Sequence, residues 1–172
     1  MPRNVEIKAR VDDLEALRQR AEALSDMPVE VLHQVDTFYG VTRGRLKLRV
    51  LGDERCELIY YERPDAIEAK ASDYALVRSN DPGTFARILS AALAIRGVVA
   101  KTRFLYLVGR TRIHIDEVDG LGSFMELEVV LDGSETVEAG TRIAENLMRD
   151  LGLENAERVA EAYIDLLEGA AR

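Results

Sequence analysis

Five short stretches of this chain place ionisable side chains two residues apart, the spacing at which an extended strand presents them on one face. In "GRLKLRV" (44–50), Arg45, Lys47 and Arg49 share a face against Leu46, Leu48 and Val50. In "AKTRF" (100–104), Lys101 and Arg103 align. In "TRIHIDEV" (111–118), Arg112, His114 and Asp116 stand against Ile113 and Ile115, with Val118 expected to rejoin that apolar face after a break. In "FMELEVV" (124–130), Glu126 and Glu128 stand against Met125, Leu127 and Val129. The opening "NVEIKAR" (4–10) sets Asn4, Glu6, Lys8 and Arg10 against Val5, Ile7 and Ala9. Clustered Lys and Arg suit several phosphate or carboxylate groups, and Arg pairs with phosphate in a bidentate fork. Carboxylates beside them would repel such an anion unless a divalent cation intervened. Mg²⁺ or Mn²⁺, which take carboxylate and phosphate oxygens together, fit that gap.

One such row alone is the wet side of a sheet. The rows together require more, because four amphipathic helices also need an apolar surface to cover. "DDLEALRQRAEAL" (12–24) opens with Asp12 as its expected cap and puts Leu14, Leu17, Ala21 and Leu24 on one stripe. "DPGTFARILSAALAI" (81–95) opens with Asp81 and Pro82 and carries Phe85, Ile88, Leu89 and Ala92, with Gly97 as its stop. "SETVEAGTRIAENLMRDLG" (134–152) runs from Ser134 to a C-terminal Gly152. "NAERVAEAYIDLLEGA" (155–170) presents Val159, Tyr163, Leu166 and Leu167.

Eight segments of strand period lie between them: 4–11, 31–40, 44–50, 56–63, 73–79, 100–108, 111–118 and 124–131. Most are joined by hairpin-length turns, the last pair by "DGLGS". The expected fold is α+β: an eight-stranded antiparallel closed β-barrel, a tunnel with a charged lumen and amphipathic helices packed outside. An ionised lumen needs water, counter-charges or a ligand. A lipocalin-like carrier would need the opposite phase, with apolar faces inward.

The 172 residues form one expected domain, 1–172, 47% hydrophobic and 31% charged. The formal net charge of −8 argues against nucleic acid as partner while leaving room for a basic pocket around a small anion. A single cysteine, Cys56, and the lack of an apolar run of membrane length predict a cytoplasmic protein with no membrane contact. Apolar outer strand faces leave room for a homodimer.

In these same residues the chain resembles the CYTH superfamily, the triphosphate tunnel metalloenzymes. "NVEIK" matches the family's E-x-E-x-K signature through Glu6 and Lys8, with Asn4 where the first Glu would stand. The likeness continues in order through "RLKLRV", "ELIYYERP", "KTRFLYLV", "RIHIDEVDGLGSFMELEVV" and "AYIDLLE". The resemblance implies a tunnel that binds a triphosphate, ATP or another, with Mg²⁺ or Mn²⁺. It implies Glu6, Asp116, Glu126 and Glu128 as metal ligands. Lys8, Lys47, Arg49, Arg63, Lys101, Arg103 and Arg112 would hold phosphates, with Arg45 sharing their phase. Glu6, Lys8 and Arg103 would act on the reacting group. Two chemistries stay open: a class IV adenylate cyclase, forming cyclic AMP and pyrophosphate, and a triphosphatase acting on inorganic or organic triphosphate such as thiamine triphosphate. A non-catalytic nucleotide- or polyphosphate-binding module is the rival outside enzymology.

Overall fold

The computed structural model describes residues 3–52, 54–62, 65 and 67–171, apart from the side chain of Lys70. Eight strands run β1 Arg3–Arg10, β2 Glu30–Tyr39, β3 Arg45–Leu51, β4 Arg55–Glu62, β5 Lys70–Ser79, β6 Ile95–Val108, β7 Thr111–Val118 and β8 Gly122–Val130. They close into a barrel in the order β1-β5-β4-β3-β2-β6-β7-β8, every pair antiparallel. The expected closed sheet is therefore the observed one. Three helices pack on its outer face, α1 Leu14–Leu24, α2 Pro82–Ala92 and α3 Val137–Asp150, while α4 Tyr163–Ala170, also expected outside, packs on lumen-phase residues at one end of the barrel.

Strand phase explains which face went where. Val5, Ile7 and Ala9 of β1 are fully buried on the outer face, in one cluster with Ile113, Ile115, Leu127 and Val129 under α1 and α3. Gly140 of α3 permits this closeness, since a Cβ there would stand 2.8 Å from Val5 Cγ2. α2 lays Phe85 and Leu89 on Tyr39, Leu48 and Cys56. Ile88 of the expected α2 stripe stays exposed, as do Val31, Val35 and Val98 on the outer face of β2 and β6.

Several boundaries differ from the sequence expectation. The α1 cap is Asp13 rather than Asp12, its carboxylate accepting from the Ala16 amide. The α3 cap is Thr136 rather than Ser134, because Ser134 is engaged with Asp132 in the preceding turn. α2 ends at Ala92, and β6 starts at Ile95, five residues before its expected start at Ala100. The expected last helix is halved. Residues 157–159 instead line up beside β1, with Arg10 N–H donating to Glu157 O and Val159 N–H to Lys8 O. Among the described residues, no helix is long and apolar enough to cross a membrane.

Candidate functional site

The barrel encloses a cavity of about 870 Å³. Of the expected site residues, Glu6, Lys8, Lys47, Arg49, Lys101, Arg103, Arg112, Glu126 and Glu128 line it. Arg63 lies outside the described residues. Arg45 is not among the lining groups; it sits at the barrel end, bound to Asp65 and Asp165.

One wall, made by β3, β2 and β6, is cationic. Asp36 of β2, which the sequence did not single out, is 2% exposed and lies directly across from Arg49. Arg49 Nε and Nη2 each donate to its carboxylate at 2.8 Å, and Lys47 Nζ does so at 2.8 Å. Burial alone would raise the Asp36 pKa, but Arg49 and Lys47 outweigh it and hold the carboxyl well below its usual range. Burial, joined by repulsion from Arg49, pulls Lys47 down to about 8 despite its pairing with Asp36.

The second ion group repeats this pattern on the next pair of strands, β6 and β7. Asp116 of β7 is fully buried directly across from Arg103. Arg103 grips it through Nε at 2.7 Å and Nη2 at 2.6 Å, and Lys101 Nζ donates at 3.2 Å. Burial would raise the Asp116 pKa, but Arg103 and Lys101 keep it far below the ordinary carboxylate value. Burial and Arg103 together lower Lys101 to about 7. Asp116 is not among the lining residues, so its carboxylate sets the direction of two lining cations.

The opposite wall, from β1, β7 and β8, holds Glu6, Glu126 and Glu128. Glu126 stands 3.5 Å from Lys8, and Glu128 accepts from Arg112 at 2.9 Å and from the Asn4 amide. His114 lies between them, 3.8 Å from each. Burial, then Arg103, lower its pKa, which favours the neutral ring. Asn4 is 1% exposed and lines the cavity, yet its Oδ1 has no hydrogen-bond partner. The donor set of Glu6, Glu126, Glu128 and Asn4 Oδ1 is all oxygen, which fits a hard divalent ion. Among the described residues, no three acidic, imidazole or thiol groups are clustered tightly enough to hold an ion unaided. Phosphate oxygens would have to complete the shell.

The cavity floor is apolar. Phe38 and Val99 line it with Ala162 and Tyr163, and behind them Val118 and Phe124, also in lumen phase, pack with Ile164. Val118, expected on the outer face with Ile113 and Ile115, instead continues the inward row of Arg112, His114 and Asp116, because the strand keeps its period to the end. Tyr163 was expected only as a helix stripe residue, yet it lines the cavity. Its periodicity carried no signal of this, because the same stripe serves packing and site. Away from the floor, Leu32, Leu51 and Leu105 line the cavity half-buried, on the three strands of the cationic wall. None of them belongs to the apolar clusters of the described residues.

A CYTH domain model matches residues 2–163. Adenylate cyclase CyaB of Aeromonas hydrophila is 25% identical over 174 residues, covering 95% of this chain and 88% of that protein. A Pyrococcus horikoshii protein of solved structure superposes with a TM-score of 0.84 at 22% identity, covering 95% of this chain and 98% of that one. An adenylyl cyclase by name from Hippeastrum, whose structure is described with a dominant triphosphatase activity, gives a TM-score of 0.70 at 17% identity, covering 97% and 96%. At these identities the solved structures share the fold, and their names include both chemistries.

Proposed function

The chain belongs to the CYTH domain family, and from that premise we propose that it is a divalent-metal-dependent enzyme acting on an organic triphosphate, most like a class IV adenylate cyclase. The observation that carries this reading is the cationic wall: Lys47, Arg49, Lys101 and Arg103, with Lys8 opposite, converge on the barrel cavity. Fixed cations in a pocket shielded from bulk water stabilise charge as it develops on a transferring phosphoryl group, without reorganising.

Each residue has a role in this reading. Arg49 and Arg103 are each held at two nitrogens by a buried Asp, so their geometry is set before substrate arrives. Lys47 and Lys101 supply mobile point charges for phosphate oxygens. Lys8 and Arg103 act on the reacting group, and Arg112 steadies the mouth beside Glu128. Glu6, Glu126 and Glu128 would hold the metal, with Asn4 Oδ1 as a neutral fourth oxygen. When bound, the ion supplies charge neutralisation between these carboxylates and the phosphates. Asp116, expected as a ligand, serves here as the counter-charge that orients Arg103 and Lys101.

Leu32, Leu51 and Leu105 favour a substrate with an organic group. Apolar side chains interspersed on a phosphate-binding wall are left facing water by inorganic triphosphate and are complementary to a nucleoside or other ring system. Triphosphate hydrolysis is the second reading, since the same cations serve attack by water. The test is incubation with ATP, inorganic triphosphate and thiamine triphosphate, each with Mg²⁺ or Mn²⁺, and chromatography of the products. Cyclic AMP with pyrophosphate supports the cyclase. Orthophosphate release supports the triphosphatase. Binding without turnover under either metal would leave a non-catalytic sensor.

A further inference from the structure

The last helix reaches into the lumen with one side chain. Tyr163 is 7% exposed. Its hydroxyl donates to Asp116 Oδ2 at 3.0 Å, the same oxygen that Arg103 and Lys101 share. Its ring faces two ammonium groups at once, Lys8 Nζ at 4.3 Å and Lys101 Nζ at 4.9 Å from the centroid. Phe124 backs the ring at 5.0 Å in a tilted contact. Lys8 Nζ also donates to Glu161 O at 3.0 Å, two residues before the tyrosine.

The placement of this side chain is fixed from both directions. Before it, residues 157–159 are zipped to β1 by backbone hydrogen bonds. After it, Asp165 pairs with Arg96 and with Arg45 at 2.9 Å, and Glu168 pairs with Arg96 at 2.8 Å. Gly97 lets the helix approach, because a Cβ there would stand 2.5 Å from Ile164 Cδ1. A packing residue needs none of this polar and cationic geometry.

We propose that Tyr163 is a positioning residue for the triphosphate site, its ring aiming Lys8 and Lys101 across the lumen and its hydroxyl occupying Asp116. The two lysines stand on opposite walls, and the ring is a contact they share. By filling one acceptor position on Asp116 Oδ2, the hydroxyl leaves Lys101 on its longer 3.2 Å bond, so that its ammonium can turn to a phosphate oxygen. The π face stabilises both charges where water is excluded. This role rests on the triphosphate reading, and it makes the C-terminal helix part of the site.

The experiment compares wild type with Tyr163→Phe and Tyr163→Leu, using inorganic triphosphate as probe in calorimetry and thermal melting as the measure of folding. Loss of the ring in Tyr163→Leu is expected to weaken binding about 10-fold, whereas Tyr163→Phe, which keeps it, should lose at most ~3-fold. With the substrate that wild type turns over, KM should rise more than kcat falls. Wild-type affinity in folded Tyr163→Leu overturns the proposal, and so does an equal loss of affinity and melting temperature in both variants. If Tyr163→Leu does not fold, Arg96→Ala decides, because it loosens α4 without touching a lumen residue. Binding weakened by ~3-fold then supports the proposal, and unchanged affinity overturns it. Failure of wild type itself to bind inorganic triphosphate would instead bring down the triphosphate reading, and this proposal with it.

Discussion

Two segments of the barrel repeat one design, "KLRVL" (47–51) on β3 and "KTRFL" (101–105) on β6. Each places Lys, Arg and Leu in lumen phase, and each sets its Arg directly across from a buried Asp on a neighbouring strand, Asp36 or Asp116. In each, the Arg is held at two nitrogens and the Lys shares the same carboxylate. They differ around the carboxylate. Asp116 also receives the Tyr163 hydroxyl, and Lys101 sits further from its carboxylate, 3.2 Å against 2.8 Å for Lys47. The lesson is that the β3 pair is a closed ion group, while the β6 pair is partly released toward the lumen by a side chain from another part of the chain.

The largest expected effects come from removing either carboxylate. Leaving two buried cations uncompensated should cost Asp36→Ala about 3–5 kcal/mol of stability in urea unfolding. Asp116→Ala should cost about 1 kcal/mol more, because the Tyr163 hydroxyl is orphaned too. Equal losses, or a greater loss at Asp36, would erase the difference between the two groups.

The lysines should weaken binding without such damage. Lys47→Met and Lys101→Met each remove a charged donor worth about 1.5–3 kcal/mol, so inorganic triphosphate affinity should fall by roughly 10- to 100-fold. Titration calorimetry would read this directly, and a variant that binds normally has no phosphate role.

Protonation separates the groups more finely. Lys101 is lowered to about 7 and Lys47 to about 8. Both folded values lie below the ordinary lysine value, so from about pH 7 upward the unfolded chain holds more protons and these groups make stability rise with pH. An anion that recharges them must take up protons. Binding of inorganic triphosphate at pH 8 is expected to draw in about one proton, seen by calorimetry in buffers of different ionisation enthalpy. The uptake should vanish below pH 6 and fall more in Lys101→Met than in Lys47→Met. No uptake at pH 8 would mean both lysines are already charged there.

The smallest effect belongs to the leucines. Leu32→Ser should reduce kcat/KM about 3- to 10-fold for an organic triphosphate and leave inorganic triphosphate nearly unchanged. An equal change for both substrates would remove the organic group from this wall.

Much of this was legible in the chain because strand period is strict. Alternation in "NVEIKAR" and "FMELEVV" separated core from lumen residue by residue, and the barrel buries Val5, Ile7 and Leu127 completely. Asp36 was not legible. It lies in "VLHQVDTFYG", whose inward row mixes Leu32, Gln34, Asp36 and Phe38, so no row of like charges marks it. The helix expected over 155–170 failed in its first half because backbone pairing with β1 competes with local propensity and wins.

The sequence by itself determined the closed antiparallel sheet, the inward face of every charged row and the family, since period, phase and ordered motifs are local properties. Only the tertiary structure decided which charges are partners. Asp116, a metal ligand by the family resemblance, becomes the counter-charge of Arg103 because β6 and β7 set the two opposite each other. Tyr163 bears the spacing of a packing residue, yet reaches two lysines because α4 docks over the apolar floor. Pairing of this kind depends on cross-strand register and helix docking, which join residues as far apart as Lys8 and Tyr163, and no local pattern encodes that distance.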